Sequence, residues 1–412
     1  MKRICILTAL VLTFVLVLTS TATTIAQPIE TTSNYQSNYT PQQLLSGYLN
    51  YAPRRTAGTD EMHFARQFIG ETLSDIGFPT DDYFKLLPTH TYHTFDDFGF
   101  EFEDQSGRLV YGYNKYAFLI VNPLYPTILV SAHMDSIGQG ATDNASGVVA
   151  SLMIADVLFR NQDQLTCNVI FAYFDAEELG CYGSEYYAYQ LNSTPDSIQI
   201  DAVINLDSVA GGDNLYVYCE DVATQMQDYL LNSCPQFQAK PIGADLHYGI
   251  SYWTYGYYQQ ALASDHTEFR VYGIPTAIIY SGNYDWRAMG YVQSLDKNHC
   301  VMNTTMDTLE HFNSLPNGYN QINTVANAVA GALLSNQFVG ICQNVAKFEL
   351  VDLELTYGVL APSVVAQAII LVVGLISIAY YQKLKKEAIL NPSEVANKSI
   401  FDEVDYHDIF QI

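Results

Sequence analysis

Basic side chains are in short supply. The chain holds 18 Lys and Arg against 43 Asp and Glu, a formal net charge of -25 over 412 residues. A nucleic-acid binder working through a general basic surface is excluded, because phosphate affinity needs clustered Lys and Arg. Charge of either sign is sparse, at 15 % of residues. The acidity therefore reflects a lack of bases more than an abundance of acids. An unfolded acidic chain is excluded too: 49 % of residues are apolar and 13 % aromatic, with 32 Tyr, far too much apolar material to stay in water. No two cysteines stand in a CxxC spacing, which removes the usual zinc-ribbon and redox motifs. There is no internal repeat, and the length allows one large domain or two average ones.

Long apolar runs occur only at the two ends. Met1-Lys2-Arg3 is followed by an apolar run from Ile4 to Thr19 and small or polar residues from Ser20 to Ala26. A basic start, short apolar core and small-residue exit predict a signal peptide over residues 1–26, cleaved after Ala22 or Ala26. The second run, Val359 to Tyr381, carries no charge and is about 23 residues long, enough for one transmembrane helix. Tyr380 and Tyr381 close it, and Lys383, Lys385 and Lys386 follow. Aromatic residues favour the interface and a basic cluster stays inside, so the tail over 382–412 is expected in the cytoplasm. The expected product is a single-pass protein in the cell membrane with its bulk extracytoplasmic. Residues 27–363 hold 12 bases and 37 acids, and so the whole of the net charge.

Six of the seven cysteines, at 167, 181, 219, 234, 300 and 342, lie in that exported part. An oxidising compartment suggests disulfides, with Cys219 and Cys234 the nearest pair in sequence, and buried thiols the alternative. Glycosylation sequons occur at Asn38, Asn144, Asn192 and Asn303.

Within the exported part, 27–40 is a polar, flexible lead-in and 341–358 a membrane-proximal segment. Between them, apolar residues first recur at helical spacing from Pro41 to Gly77, with a polar break over Pro53 to Thr59. Later, β-rich runs at Thr127–Ala132, Asn168–Phe174, Asp201–Leu206 and Ile274–Tyr280 alternate with helical patterns such as Gly147–Arg160. This alternation predicts an α/β domain with a largely parallel sheet. Such sheets bind ligands at the carboxyl ends of their strands. The first three runs stop at His133, Asp175 and Asp207, each a potential metal ligand.

The chemistry-bearing residues cluster at those ends. In His133-Met134-Asp135, residues two apart on a strand face the same way, so Asp135 could orient a metal-binding His133. Asp143, just before a helical pattern, is either a cap or a carboxylate placed to bridge two cations. Asp175-Ala176-Glu177-Glu178 sets two adjacent carboxylates in different directions, one able to bind metal and the other to act as a base. Leu206-Asp207-Ser208 adds a last carboxylate. A set of one His and several carboxylates suits zinc.

The order of these motifs resembles peptidase family M28, zinc metallopeptidases that include aminopeptidases, glutamate carboxypeptidases and the related glutaminyl cyclases. The similarity runs from about residue 43 to 338 and includes Arg55-Thr56-Ala57-Gly58-Thr59, Ser264-Asp265-His266 and Gly273-Ile274-Pro275. The resemblance implies a three-layer α/β sandwich with a mixed, largely parallel central sheet, the zinc-dependent exopeptidase fold, as a domain over 41–340. It implies two zinc ions: one on His133, Asp143 and Asp207, the other on Asp143, Glu178 and a final His. It makes Glu177 the general base, with Asp135 behind His133 and Asp265 lining the site. Peptides are the expected substrates.

The last motif departs from the family. Relatives carry His-Thr-x-x-Asp-Thr, whereas this chain has Asn303-Thr304-Thr305-Met306-Asp307-Thr308. An amide oxygen is a weak zinc ligand beside imidazole, so the second site is weakened. His299 and His311 are the nearest substitutes. A cyclase needs the damaged site, and an aminopeptidase can keep the metal on His133, Asp143 and Asp207. The expected function is thus an extracytoplasmic zinc aminopeptidase. The alternative is a binding or receptor ectodomain that has begun to lose its ligands at Asn303.

Overall fold

The computed structural model describes residues 35–79, 92–103, 107, 109–194, 197–219, 223–239, 264–282 and 302–344. All of them belong to one compact unit, Met1–Phe348. The expected signal segment, the membrane span over 359–381 and the tail lie outside the described residues. Among those described, one helical stretch, Ala141–Arg160, is long and apolar enough to cross a membrane, and it is 94 % buried inside the protein.

The chain opens with two helices, α1 (Pro41–Tyr51) and α2 (Met62–Ile76). Thr40 caps α1: its hydroxyl accepts from the Gln43 backbone N–H at 3.2 Å while the Gln43 side chain reaches back to the Thr40 N–H at 3.1 Å. Pro41 at the first helical position costs no backbone bond there. Gly77 ends α2 at φ 121°, where a side chain would be strained and a Cβ would meet the Phe159 ring at 2.7 Å.

Eight strands form one sheet: β1 (Tyr92–Glu103), β2 (Leu109–Ile120), β3 (Thr127–His133), β4 (Asn168–Phe174), β5 (Ala202–Leu206), β6 (Asn214–Cys219), β7 (Phe237–Ala239) and β8 (Thr276–Gly282). Their order across the sheet is β1-β2-β4-β3-β5-β8-β6-β7. The central pairs β4/β3, β3/β5 and β5/β8 are parallel, as is β6/β7. The pairs β1/β2, β2/β4 and β6/β8 are antiparallel. The sheet is therefore mixed, with its parallel core where the sequence places the apolar runs.

Helices cover both faces. Along β4, Val169, Phe171 and Tyr173 join one buried cluster, and Ile170, Ala172 and Phe174 join the other. Period-two alternation thus feeds two cores from one apolar run. The first core takes in α1, α2, α3 (Ser146–Arg160), α5 (Thr224–Ser233), α7 (Leu309–Asn313), α8 (Gly318–Leu333) and α9 (Asn336–Asn344), while α4 (Tyr182–Ser193) and α6 (His266–Arg270) pack on the other face. The second is closed by Tyr187 and Ala188 of α4 and Phe269 of α6. In α3 every residue from Ser146 to Leu158 is buried. Burying each of its Val, Leu and Ile side chains contributes about 1.5–3 kcal/mol before chain entropy is set against it.

Parallel neighbours bring their carboxyl ends to one edge of the sheet. His133 is the last residue of β3, Asp207 follows β5, and Ser131 pairs with Asn205 one turn of the pleat earlier. That edge positions the site.

Candidate active site

His133, Asp143 and Asp207 converge at this edge. One ligand atom from each lies within 4.8 Å of the others. His133 Nε2 is 3.1 Å from Asp143 Oδ1 and 3.5 Å from Asp207 Oδ1. On the far side of the ring, Nδ1 is 3.2 Å from the Asp135 carbonyl oxygen and 3.5 Å from its carboxylate. The ring is thus oriented from behind and presents Nε2 to the two carboxylates.

The donor set fits a metal ion. His133 Nε2 and Asp143 Oδ1 are both buried and neither makes a hydrogen bond, although they face each other. Buried polar atoms left this way are costly unless something else satisfies them. Burial alone would drive the His133 ring neutral. Glu177, Asp135, Asp143 and Asp207 outweigh it and hold the pKa well above the usual histidine value. Burial and the charge of Asp207 raise Asp143. At Asp207 burial is overcome by His133 and the hydroxyls of Ser264 and Ser208, so it is lowered. A bound cation would act in place of the proton that this cluster otherwise attracts.

The loop carrying Asp143 is held from three directions. The buried Asp307 carboxylate accepts the backbone N–H groups of Thr142 at 2.8 Å and Asp143 at 2.9 Å. Arg55, wholly buried, donates to the carbonyls of Met134 at 2.8 Å, Gln139 at 2.7 Å and Gly140 at 2.8 Å. Its guanidinium lies 4.9 Å from the Tyr48 ring centroid. Asn144 donates to the Leu206 carbonyl at 2.8 Å and accepts from the N–H groups of Gly147 and Ser208 at 3.0 and 2.9 Å. Asn144 therefore ties the Asp143 loop to the strand end that carries Asp207. Its side chain is wholly buried and makes three hydrogen bonds, so this sequon is no glycosylation site in the folded chain. Gly147 lets α3 start against β5, since a Cβ there would collide with the Leu206 carbonyl.

Glu177 and Glu178 follow a sharp bend after β4. Ala176 takes φ 63° and Ser208, after Asp207, takes φ 51°. Such left-handed conformations are uncommon outside glycine and cluster at functional sites. The buried Asp135 carboxylate accepts the Glu177 N–H through Oδ1 and the Glu178 N–H through Oδ2, both at 3.1 Å. One carboxylate thus orients the His133 ring and fixes the two-glutamate loop. Burial lifts Glu177 well above the usual carboxylate range, His133 opposes this, and Asp207, Asp265 and Glu178 add to it. Cys181 Sγ donates to Glu177 Oε1 at 3.7 Å.

Asp175 departs from the sequence expectation. It follows β4 directly, and its Oδ2 accepts the Tyr113 N–H at 3.1 Å. The antiparallel register of β4 with β2 sets Asp175 beside Tyr113. Asp265 is fully buried just before α6, and burial pushes it up to about 7.

Glu178 faces Asn303. With the amide nitrogen of Asn303 turned toward it, that nitrogen donates to Glu178 Oε1 at 2.8 Å and Oε2 at 2.9 Å. The reverse orientation would set the amide oxygen against carboxylate oxygens. Burial, followed by the charge of Asp143, pushes Glu178 up to about 9. Asn303 itself has φ 58°, a left-handed conformation that asparagine tolerates. Of the two proposed substitutes for the missing His, His299 falls outside the described residues. His311 sits in α7, where its N–H donates to the Thr308 cap, and it does not join the trio.

Five cysteines are described, at 167, 181, 219, 234 and 342, and all are buried free thiols. The pairing of Cys219 with Cys234 is therefore corrected: both thiols are buried, and Cys234 Sγ donates to Gln236 Oε1 at 3.2 Å instead. Arg55, Asn144 and Asp307 act as structural supports that their residue types alone do not reveal. Arg55 and Asp307 lie inside quoted motifs, which was the available signal.

Residues 122–325 match the peptidase M28 family. The vacuolar membrane protease of Kluyveromyces lactis is 27 % identical over 193 residues, 46 % of this chain and 18 % of that protein. Probable leucine aminopeptidase 2 of Aspergillus fumigatus is 34 % identical over 85 residues, 20 % of this chain and 16 % of that one. The chain thus spans less than a fifth of either relative. Among solved structures, Porphyromonas gingivalis glutaminyl cyclase superposes with a TM-score of 0.52 at 21 % identity, covering 74 % of this chain and 100 % of that one.

Proposed function

We propose, for a chain that carries a peptidase family M28 domain over residues 122–325, that it is a metal-dependent exopeptidase releasing N-terminal residues from peptides. The convergence of His133, Asp143 and Asp207, with unsatisfied Nε2 and Oδ1 atoms beside Glu177, carries this reading. One imidazole with carboxylates is a donor set suited to zinc. A zinc ion bound there would polarise the scissile carbonyl and make the attacking water more acidic.

The protein's own residues supply the rest. Glu177, raised by burial, takes a proton from the attacking water and delivers it to the departing amine nitrogen. Asp135 keeps His133 turned and holds the Glu177 backbone in place. Asp265 adds a buried carboxylate to the lining. Carboxylates outnumber the single imidazole, which suits a substrate presenting a positive α-ammonium group. The likeness to an aminopeptidase in sequence supports the same choice. The glutaminyl cyclase superposition speaks to the fold alone.

The full-length chain, purified in detergent and supplied with zinc, should hydrolyse aminoacyl-arylamides. No turnover with zinc, cobalt or manganese would sink the proposal. Glu177→Gln should lower kcat roughly 10²–10⁴-fold, the range for a lost general base, with metal content unchanged. Asn303 motivates a second reading, a binding domain without catalysis. A chain that retains no transition metal after purification in its presence would favour it.

The apolar run over 359–381 would anchor the domain outside the membrane, with 382–412 on the cytoplasmic side. The resemblance to a vacuolar membrane protease supports a membrane setting. Protease added to intact, sealed cells should remove the domain and spare an epitope on the tail; the opposite pattern would reverse the topology.

A further inference from the structure

We infer that this centre works with a single metal ion, and that the Asn303 amide takes the place of a second one by binding the Glu178 carboxylate. The inference rests on the proposed metal site and specifies its stoichiometry.

Two halves of the site differ in what they offer. At one half, His133 Nε2, an Asp143 oxygen and an Asp207 oxygen lie within 4.8 Å of one another. Three protein ligands with a fourth position left for water or substrate is the common arrangement of a catalytic zinc. At the other half, with the Asn303 amide turned so that its nitrogen faces Glu178, that nitrogen lies 2.8 and 2.9 Å from the two Glu178 oxygens. Glu178 takes no part in the three-residue group.

An amide nitrogen donates hydrogen bonds and has no lone pair for a metal. Turned to its oxygen, the same amide would be a neutral, weak ligand beside imidazole. A cation between Glu178 and Asn303 would have to break the amide contact and gain that weak ligand in return. Asp143 could still offer its second oxygen, but two carboxylates and an amide oxygen lack the nitrogen donor that zinc favours. The hydrogen bond also does locally what an ion would do. It holds Glu178 in place, so the loop bearing Glu177 stays fixed without a second metal.

Metal counting tests this without reading turnover. The metal-free full-length chain is equilibrated with excess zinc, freed of loosely bound ion, and its zinc measured by mass spectrometry. One zinc per chain is expected. In Asn303→His the count should rise to two, since histidine also tolerates the left-handed backbone and restores a nitrogen ligand. Two zinc ions on the unaltered chain overturn the inference, as does a count of one in a folded Asn303→His. Glu178→Gln gives an independent arm should that variant not fold. It should retain one zinc with affinity changed by less than about threefold, whereas a loss of more than tenfold would make Glu178 a ligand and overturn the inference. An inactive protein that binds one zinc would defeat the proposed peptidase function and leave this inference standing.

Discussion

The two halves of the site are built from the same residue types and behave differently. Around His133, buried polar atoms are brought close and left without hydrogen bonds. Around Glu178, a carboxylate of the same chemistry meets a ready donor in Asn303. The first arrangement is costly until a cation arrives. The second is satisfied by the protein itself. One side chain at position 303 separates a metal site from a hydrogen-bonded pair, because imidazole nitrogen and amide nitrogen have opposite roles toward a cation.

His133→Ala should break the first half outright. It removes the only nitrogen donor of the trio and leaves two facing carboxylates, so bound zinc and turnover should both be lost; retention of stoichiometric zinc would show that the ligands lie elsewhere. Asp307→Ala should have the next largest effect. It leaves the Thr142 and Asp143 N–H groups without their acceptor, a loss of roughly 2–6 kcal/mol at about 1–3 kcal/mol for each buried group. Denaturant unfolding checks the stability, and zinc affinity should weaken with it, since the Asp143 loop loses its support.

A smaller, pH-dependent effect sharpens the comparison. Burial, with nearby acids contributing, raises Asp175 and Asp265 to about 7 each. The unfolded value for Asp is about 3.9. The folded chain therefore holds protons that the unfolded chain has released between those values. Their contribution to stability is present at low pH and lost as pH rises through about 7. The metal-free Tm should fall from pH 5 to pH 8, by about 2–4 °C for each kcal/mol lost. Added zinc should raise Tm more at pH 8 than at pH 5. A metal-free Tm that climbs over this range would show that other groups dominate. The smallest expected effect is on substrate choice. The net charge of -25 should favour peptides with basic N-terminal residues over acidic ones by a few-fold in kcat/KM, less so in high salt.

Much of the fold was legible where the apolar pattern was strong. The run Asn168–Phe174 coincides with β4, and the break over Pro53 to Thr59 separates α1 from α2. The β1/β2 hairpin escaped the reading. Its second strand carries Asn114 and Lys115, which interrupt the alternation, and both are buried by partners elsewhere in the chain. The same limit applied at Asp175. A carboxylate at a strand end looks like a ligand in one dimension, and only the register with β2 turns it toward the Tyr113 N–H. Cys219 and Cys234 were close in sequence, yet each is buried as a thiol, which closeness along the chain does not decide.

The chemistry on offer is set along the chain: one His and several carboxylates at the ends of buried strands, with Asn303 where relatives have His. Residue type and period-two placement suffice for that, because both are local. Which of these groups meet depends on how the chain packs in three dimensions. Parallel pairing of β3 with β5 sets His133 beside Asp207, and Asp307 and Arg55 carry Asp143 to them across long chain separations. The same packing brings Asn303 against Glu178, 125 positions apart in the numbering. Distance in space, which sets the strength of charge and hydrogen-bond interactions, is not written in the spacing of residues along the chain.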